Sequence, residues 1–167
     1  MPNIDTEQID AVVFDLDGVI TMTASVHEAA WERLFNEYLQ ERADRSGQPL
    51  DPFSSADYLE FVDGKPRYDG VQAFFESRDI QIPWGDPEDP PGTETICGLG
   101  NQKNNYFLDR LHRHGAEPYE TSVAFVRALQ RQGVATALIS SSRNVTEVLA
   151  AAGLSDLFGV IVDGVLA

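Results

Sequence analysis

The sequence predicts an α/β fold: a parallel sheet with helical crossovers, interrupted near its start by an all-helical insertion. Three observations carry this. Short apolar runs at Ala11 to Phe14, Val134 to Ile139 and Phe158 to Val162 have the length and β-branched content of buried strands. From Glu117 onward these runs alternate with amphipathic stretches, the pattern of right-handed βαβ crossovers. Between the first run and Tyr119 there is only helical periodicity. The expected organisation is a discontinuous core of 1–24 and 115–167 around a helical segment of 25–114.

The elements follow in order. The first strand ends at Asp15-Leu16-Asp17-Gly18, a tight polar turn. Ser25 and Glu28 have capping-box spacing, and Val26, Ala30, Trp31, Leu34, Phe35, Tyr38 and Leu39 then repeat at helical spacing. That helix is expected to run to about Arg42, before the Ser46-Gly47-Gln48-Pro49 stop. A shorter apolar pattern over Asp57 to Val62 meets the turn Asp63-Gly64-Lys65-Pro66, and Gly70 to Ser77 reads as a further helix. Ile82 to Gly92 holds four of the nine prolines among acidic residues, which predicts a surface loop. Helices are expected over Lys103 to Arg113, over Tyr119 to Gln132 with Gly133 as its left-handed stop, and over Asn144 to Ala152 closed by Gly153.

Bulk properties exclude several classes. With 43% hydrophobic residues the 167-residue chain has enough apolar material for a core, and no run approaches a membrane span. Met1 to Asp10 is polar and acidic, unlike a signal peptide, and the single cysteine, Cys97, rules out an internal disulfide framework. A cytoplasmic location is expected. The formal net charge of −15 repels nucleic acid and anionic membranes, so neither is an expected partner. Arg67, Lys103 and Arg143 are then the cations to watch for an anionic ligand.

Two carboxylates two residues apart at a strand end, Asp15 and Asp17, point the same way on an extended chain. Held together they repel unless a cation lies between them, which suggests Mg²⁺ with one carboxylate left as nucleophile or general acid/base. The plainer alternative is a polar turn. A second cluster, Ile139-Ser140-Ser141-Ser142-Arg143-Asn144, lies where the next strand meets a helix; it suits a phosphate, and equally an ordinary N-cap.

The run Val12-Val13-Phe14-Asp15-Leu16-Asp17-Gly18-Val19-Ile20-Thr21, continued by Thr23-Ala24, His27 and Trp31, closely resembles the first motif of the haloacid dehalogenase superfamily, in its β-phosphoglucomutase-like branch. The resemblance implies a Rossmann-like core with a helical cap. Asp15 would be the nucleophile that becomes an aspartyl phosphate and Asp17 the acid/base, both serving a Mg²⁺ site. Ser140 matches the second motif and would bond the transferring phosphoryl group with Ser141. Ser142 and Asn144 would help hold the substrate's other phosphate. Thr23 continues the first motif and would contact the substrate, His27 would position the acid/base, and Gly64 and Arg67 match the cap loop that grips the distal phosphate. Lys103 matches a cap lysine facing the sugar, with a solvated surface cation as the alternative there and at Arg67. Trp31 reads as packing or as a sugar platform.

The family's lysine and acidic-pair motifs would fall beyond Ala167. The expectation is therefore an incomplete core: a truncated chain, or one that associates through the exposed edge of the Asp15 strand. The implied reaction is Mg²⁺-dependent phosphoryl transfer on a sugar phosphate, β-glucose 1-phosphate to glucose 6-phosphate. The alternatives are a sugar-phosphate phosphatase and a catalytically silent binding subunit.

Overall fold

A computed structural model describes residues 9–164. In chain order the elements are β1 (Ala11–Asp15), α1 (Ala24–Ser46), α2 (Ser55–Asp57), a π-helical turn (Tyr58–Val62), α3 (Arg67–Ser77), α4 (Ile96–His114), α5 (Glu120–Arg131), β2 (Ala135–Ile139), α6 (Val145–Ala151) and β3 (Val160–Val162). The chain divides into two compact units, Met1–Ala24 with His114–Ala167, and Ser25–Arg113.

The first unit is built on a parallel sheet of order β1-β2-β3. Its register pairs Ala11 with Ala135 and Asp15 with Ile139 on one side of β2, and Ala137 with Val160 and Ile139 with Val162 on the other. Alternation decides which face is covered. Phe14 and Leu138 are buried, and the Phe14 ring meets Phe125 of α5 at 6.0 Å and Phe158 at 5.9 Å. Val123, Val126 and Leu129 give α5 its buried stripe. The opposite face keeps Val13 at 56%, Ile139 at 47% and Val160 at 57% exposure, a row of β-branched side chains that strand propensity selected and nothing among the described residues covers.

The second unit is helical. Buried residues Trp31, Leu34, Phe35, Tyr38 and Leu39 of α1 face Phe74 and Phe75 of α3, with Phe53 and Tyr58 completing an aromatic core. Phe35 lies at its centre, with ring centroids of Trp31, Phe53, Phe74 and Phe75 at 4.1–5.6 Å.

Two local expectations are corrected. Helix α1 begins at Ala24, so Ser25 lies inside it and forms no capping box. A capping box is instead present at Ser54 and Asp57, ahead of the π-helical turn. Helix α4 starts at Ile96, seven residues before the predicted Lys103, because Gly98 and Gly100 are tolerated where other groups crowd its backbone. A Cβ at Gly98 would meet the Thr93 carbonyl oxygen at 2.6 Å. One at Gly100 would meet Tyr68 Cδ1 at the same distance.

Candidate functional site

Asp15 is the last residue of β1, and Leu16 and Ile20 are fully buried anchors of the loop that follows. The Leu16 carbonyl accepts from the Ile20 and Thr21 N–H groups at 2.9 and 3.0 Å, and Gly18 takes φ +78°, a conformation that favours glycine. This loop is tied to the chain ahead of α5: Met22 N–H donates to the Glu117 carbonyl at 2.8 Å, and Tyr119 N–H to that of Ile20 at 2.9 Å. On this frame Thr23 Oγ1 donates to Asp17 Oδ1. The Thr21 and Thr23 hydroxyl oxygens are 2.8 Å apart, and Thr21 Oγ1 reaches the Leu16 carbonyl at 3.3 Å. Both threonines are fully buried, so Asp17 is oriented by a desolvated hydroxyl pair. Thr21 carried no assigned role in the sequence; the only signal for it was its two-residue spacing to Thr23.

The loop after β2 is equally fixed. Ser140 N–H donates to the Val162 carbonyl at 3.0 Å. Ser140 Oγ accepts from Ser142 N–H at 3.0 Å, and Ser142 Oγ accepts from Asn144 N–H at 3.1 Å. A hydroxyl whose oxygen accepts still has its proton to donate, which suits Ser140 to a phosphoryl oxygen. Ser141 is exposed, and its carbonyl lies 2.3 Å from where a Cβ on Gly164 would stand, so glycine is needed at 164. Asn144 is buried and N-terminal to α6, and its side chain makes no capping bond. Arg143 Nε donates to the Gly164 carbonyl at 3.2 Å, joining this loop to the end of β3. Because Asp15 and Ile139 are register partners, the Ser140 loop leaves the sheet immediately beside the Asp15 tip.

In the helical unit, Lys103 Nζ lies 2.7 Å from His27 Nδ1, across 76 residues of sequence. A charged Lys103 donates only, which would make Nδ1 the acceptor and leave the ring proton on Nε2. Lys103 is buried, with its ammonium 4.7 Å from the Trp31 ring and 5.2 Å from that of Phe107, and His27 stacks on Phe107 at 4.1 Å. Lys103 is therefore no solvated surface cation. Trp31, 3% exposed, packs against Phe35 and offers its face to Lys103.

Gly64 takes φ +70° directly after the π-helical turn, and Lys65 N–H donates to the Val62 carbonyl at 3.2 Å. Arg67 then opens α3, half-buried, its guanidinium carbon 5.8 Å from the Tyr68 ring.

The donor set bears on a metal. No group of three or more His, Cys, Asp or Glu side chains able to hold an ion occurs among the described residues. Asp15 and Asp17 at a loop tip fit Mg²⁺, which keeps several waters and takes one or two carboxylates together with substrate phosphate oxygens. They do not fit a closed cage of protein ligands.

Known proteins share this plan. A β-phosphoglucomutase of Mycobacterium bovis is 46% identical over 160 residues, covering 95% of this chain and 61% of that protein. An uncharacterised glycosyl hydrolase of Mycobacterium tuberculosis is 39% identical over 163 residues, 98% of this chain and 12% of its own length. Among solved structures, a β-phosphoglucomutase from Clostridium difficile superposes with a TM-score of 0.69 at 26% identity, covering 96% of this chain and 64% of its own. The chain thus spans under two thirds of the length of these relatives. The family model for haloacid dehalogenase-like hydrolases matches residues 9–166, from just ahead of β1 to beyond β3, and the chain belongs to that family.

Proposed function

We propose that the chain carries Mg²⁺-dependent phosphoryl transfer on a hexose phosphate, converting β-glucose 1-phosphate to glucose 6-phosphate through an aspartyl phosphate. Asp15 attacks phosphorus. Asp17, held by Thr23, gives its proton to the leaving oxygen and later takes one from the acceptor hydroxyl. Ser140 donates to a phosphoryl oxygen, with Ser141 beside it, while Ser142 and Asn144 hold the distal phosphate. Mg²⁺, when bound at Asp15 and Asp17, offsets negative charge on the transferring group. As the family resemblance implies, Arg67 and the loop at Gly64 would take the phosphate of the sugar, and Lys103 and His27 would serve the sugar and the acid/base.

The observation that carries this reading is the parallel register of Asp15 with Ile139, which brings a carboxylate and the serine that follows Ile139 to neighbouring strand ends. The 46% identity to a β-phosphoglucomutase supports the choice of substrate class.

The test is incubation with Mg²⁺, β-glucose 1-phosphate and a bisphosphate primer. Glucose 6-phosphate is expected, with Asp15→Ala lowering turnover by at least about 10³-fold. Release of inorganic phosphate alone would make the protein a hydrolase. Turnover that survives Asp15→Ala rejects the mechanism.

A further inference from the structure

Trp84 stands apart from the residues above. It is 44% exposed, yet the loop that carries it is tied down by hydrogen bonds. The carbonyls of Pro83 and Trp84 accept from Ile96 and Cys97, the first two N–H groups of α4, both at 2.9 Å. Beyond it, Asp89 Oδ2 accepts from Asp86 N–H and from Thr95 Oγ1, at 3.0 and 2.7 Å. Asn101 Nδ2 straps the same loop through the carbonyls of Pro87 and Asp89, at 3.0 and 2.9 Å. The other end of that amide, Asn101 Oδ1, accepts from the Tyr68 hydroxyl at 3.0 Å. Tyr68 in turn meets the Trp84 ring edge-on, 6.2 Å between centroids, and carries the Arg67 guanidinium near its own face.

Such a loop holds the backbone at Trp84 in place before a ligand arrives, which lowers the ordering cost of binding. The chemistry around it is specific. An aromatic face takes the apolar C–H side of a sugar ring, and a guanidinium takes a phosphate bidentately. Exposed carboxylates at Asp86 and Glu88 add acceptors for hydroxyls.

We propose that Trp84, pinned against Tyr68 on the Arg67 side of the helical unit, is a stacking platform for the sugar ring of a phosphorylated carbohydrate. It would set affinity for the carbohydrate and leave the chemistry at Asp15 alone. The inference rests on the sugar-phosphate reading and adds a specificity-determining residue to it.

The experiment is calorimetric titration of the full chain with glucose 6-phosphate and, separately, with inorganic phosphate. Trp84→Ala is expected to weaken glucose 6-phosphate binding about five- to tenfold, Trp84→Phe to restore most of it, and inorganic phosphate to bind both variants as it binds the parent. Equal glucose 6-phosphate affinity in Trp84→Ala overturns the inference, as does a parallel loss for inorganic phosphate. A beryllofluoride adduct on Asp15, followed by fluorine NMR in the presence of Mg²⁺, separates the two readings. If it forms while glucose 6-phosphate binding ignores Trp84, the platform is wrong and phosphoryl transfer stands. If neither adduct nor glucose 6-phosphate binding is seen, both fall.

Discussion

Replacing Thr23 by valine removes one hydroxyl and keeps the shape, so it isolates what that hydroxyl does for Asp17. The bond to a carboxylate is worth about 1.5–3 kcal/mol and the contact with Thr21 about 0.5–1.5 kcal/mol. A buried methyl in place of the hydroxyl returns part of this, about 0.8 kcal/mol. The net expectation is about 2 kcal/mol of destabilisation, centred on the loop after β1. Tryptophan emission is the wrong probe, because Trp31 and Trp84 both lie in the 25–113 unit. Amide hydrogen exchange at Met22 and Tyr119 reads the right place, since their N–H groups tie this loop to the chain before α5. Their exchange should accelerate about 30-fold, and turnover should fall about 10- to 100-fold as Asp17 loses its orientation. Thr23→Ser, which keeps the hydroxyl, should recover most of the turnover. Unchanged exchange together with unchanged turnover in Thr23→Val would refute the reasoning.

Other outcomes follow from the helical unit. Burial acts to raise the Asp57 carboxyl, but hydrogen bonds from Ser54 and the Arg78 guanidinium outweigh it and hold it below the usual carboxylate value. The stability it supplies is present above the unfolded value, about pH 3.9, and is lost as pH falls through the lower folded one. Asp57→Asn should therefore flatten the acid limb of the urea-midpoint profile and cost about 1–2 kcal/mol at neutral pH through the lost cap. Phe35→Ala, at the centre of the aromatic core, should cost about 3–5 kcal/mol, read by urea unfolding followed through the tryptophan emission of this unit. Lys103→Met trades a buried ammonium for an apolar chain of similar length. Desolvation and the bond to His27 nearly cancel, so stability should move by less than about 2 kcal/mol while glucose 6-phosphate affinity drops.

The strands were legible because β-branched runs bounded by glycine have few other readings. Gly133 and Gly153 do take positive φ after their helices, at 80° and 69°. Helix α4 was half-hidden, since Gly98 and Gly100 look like breakers until Thr93 and Tyr68 are seen lying on the backbone there. Ser25 misled because a capping box is a local pattern, whereas the helix start is decided by the loop tied down at Met22 and Tyr119. At the candidate site, residue types and strand-end positions could be read directly from the motif. The long-range partners could not: Lys103 and His27 are 76 positions apart, and no spacing rule joins them. Nor does any local pattern forecast a π-helical turn ahead of Gly64.

In the order β1-β2-β3, the strand that carries Asp15 is one of the two edge strands among the described residues. Its outer backbone groups are a template onto which a further extended segment can zip. A segment laid along Ala11–Asp15 would finish abreast of the Asp15 carboxylate.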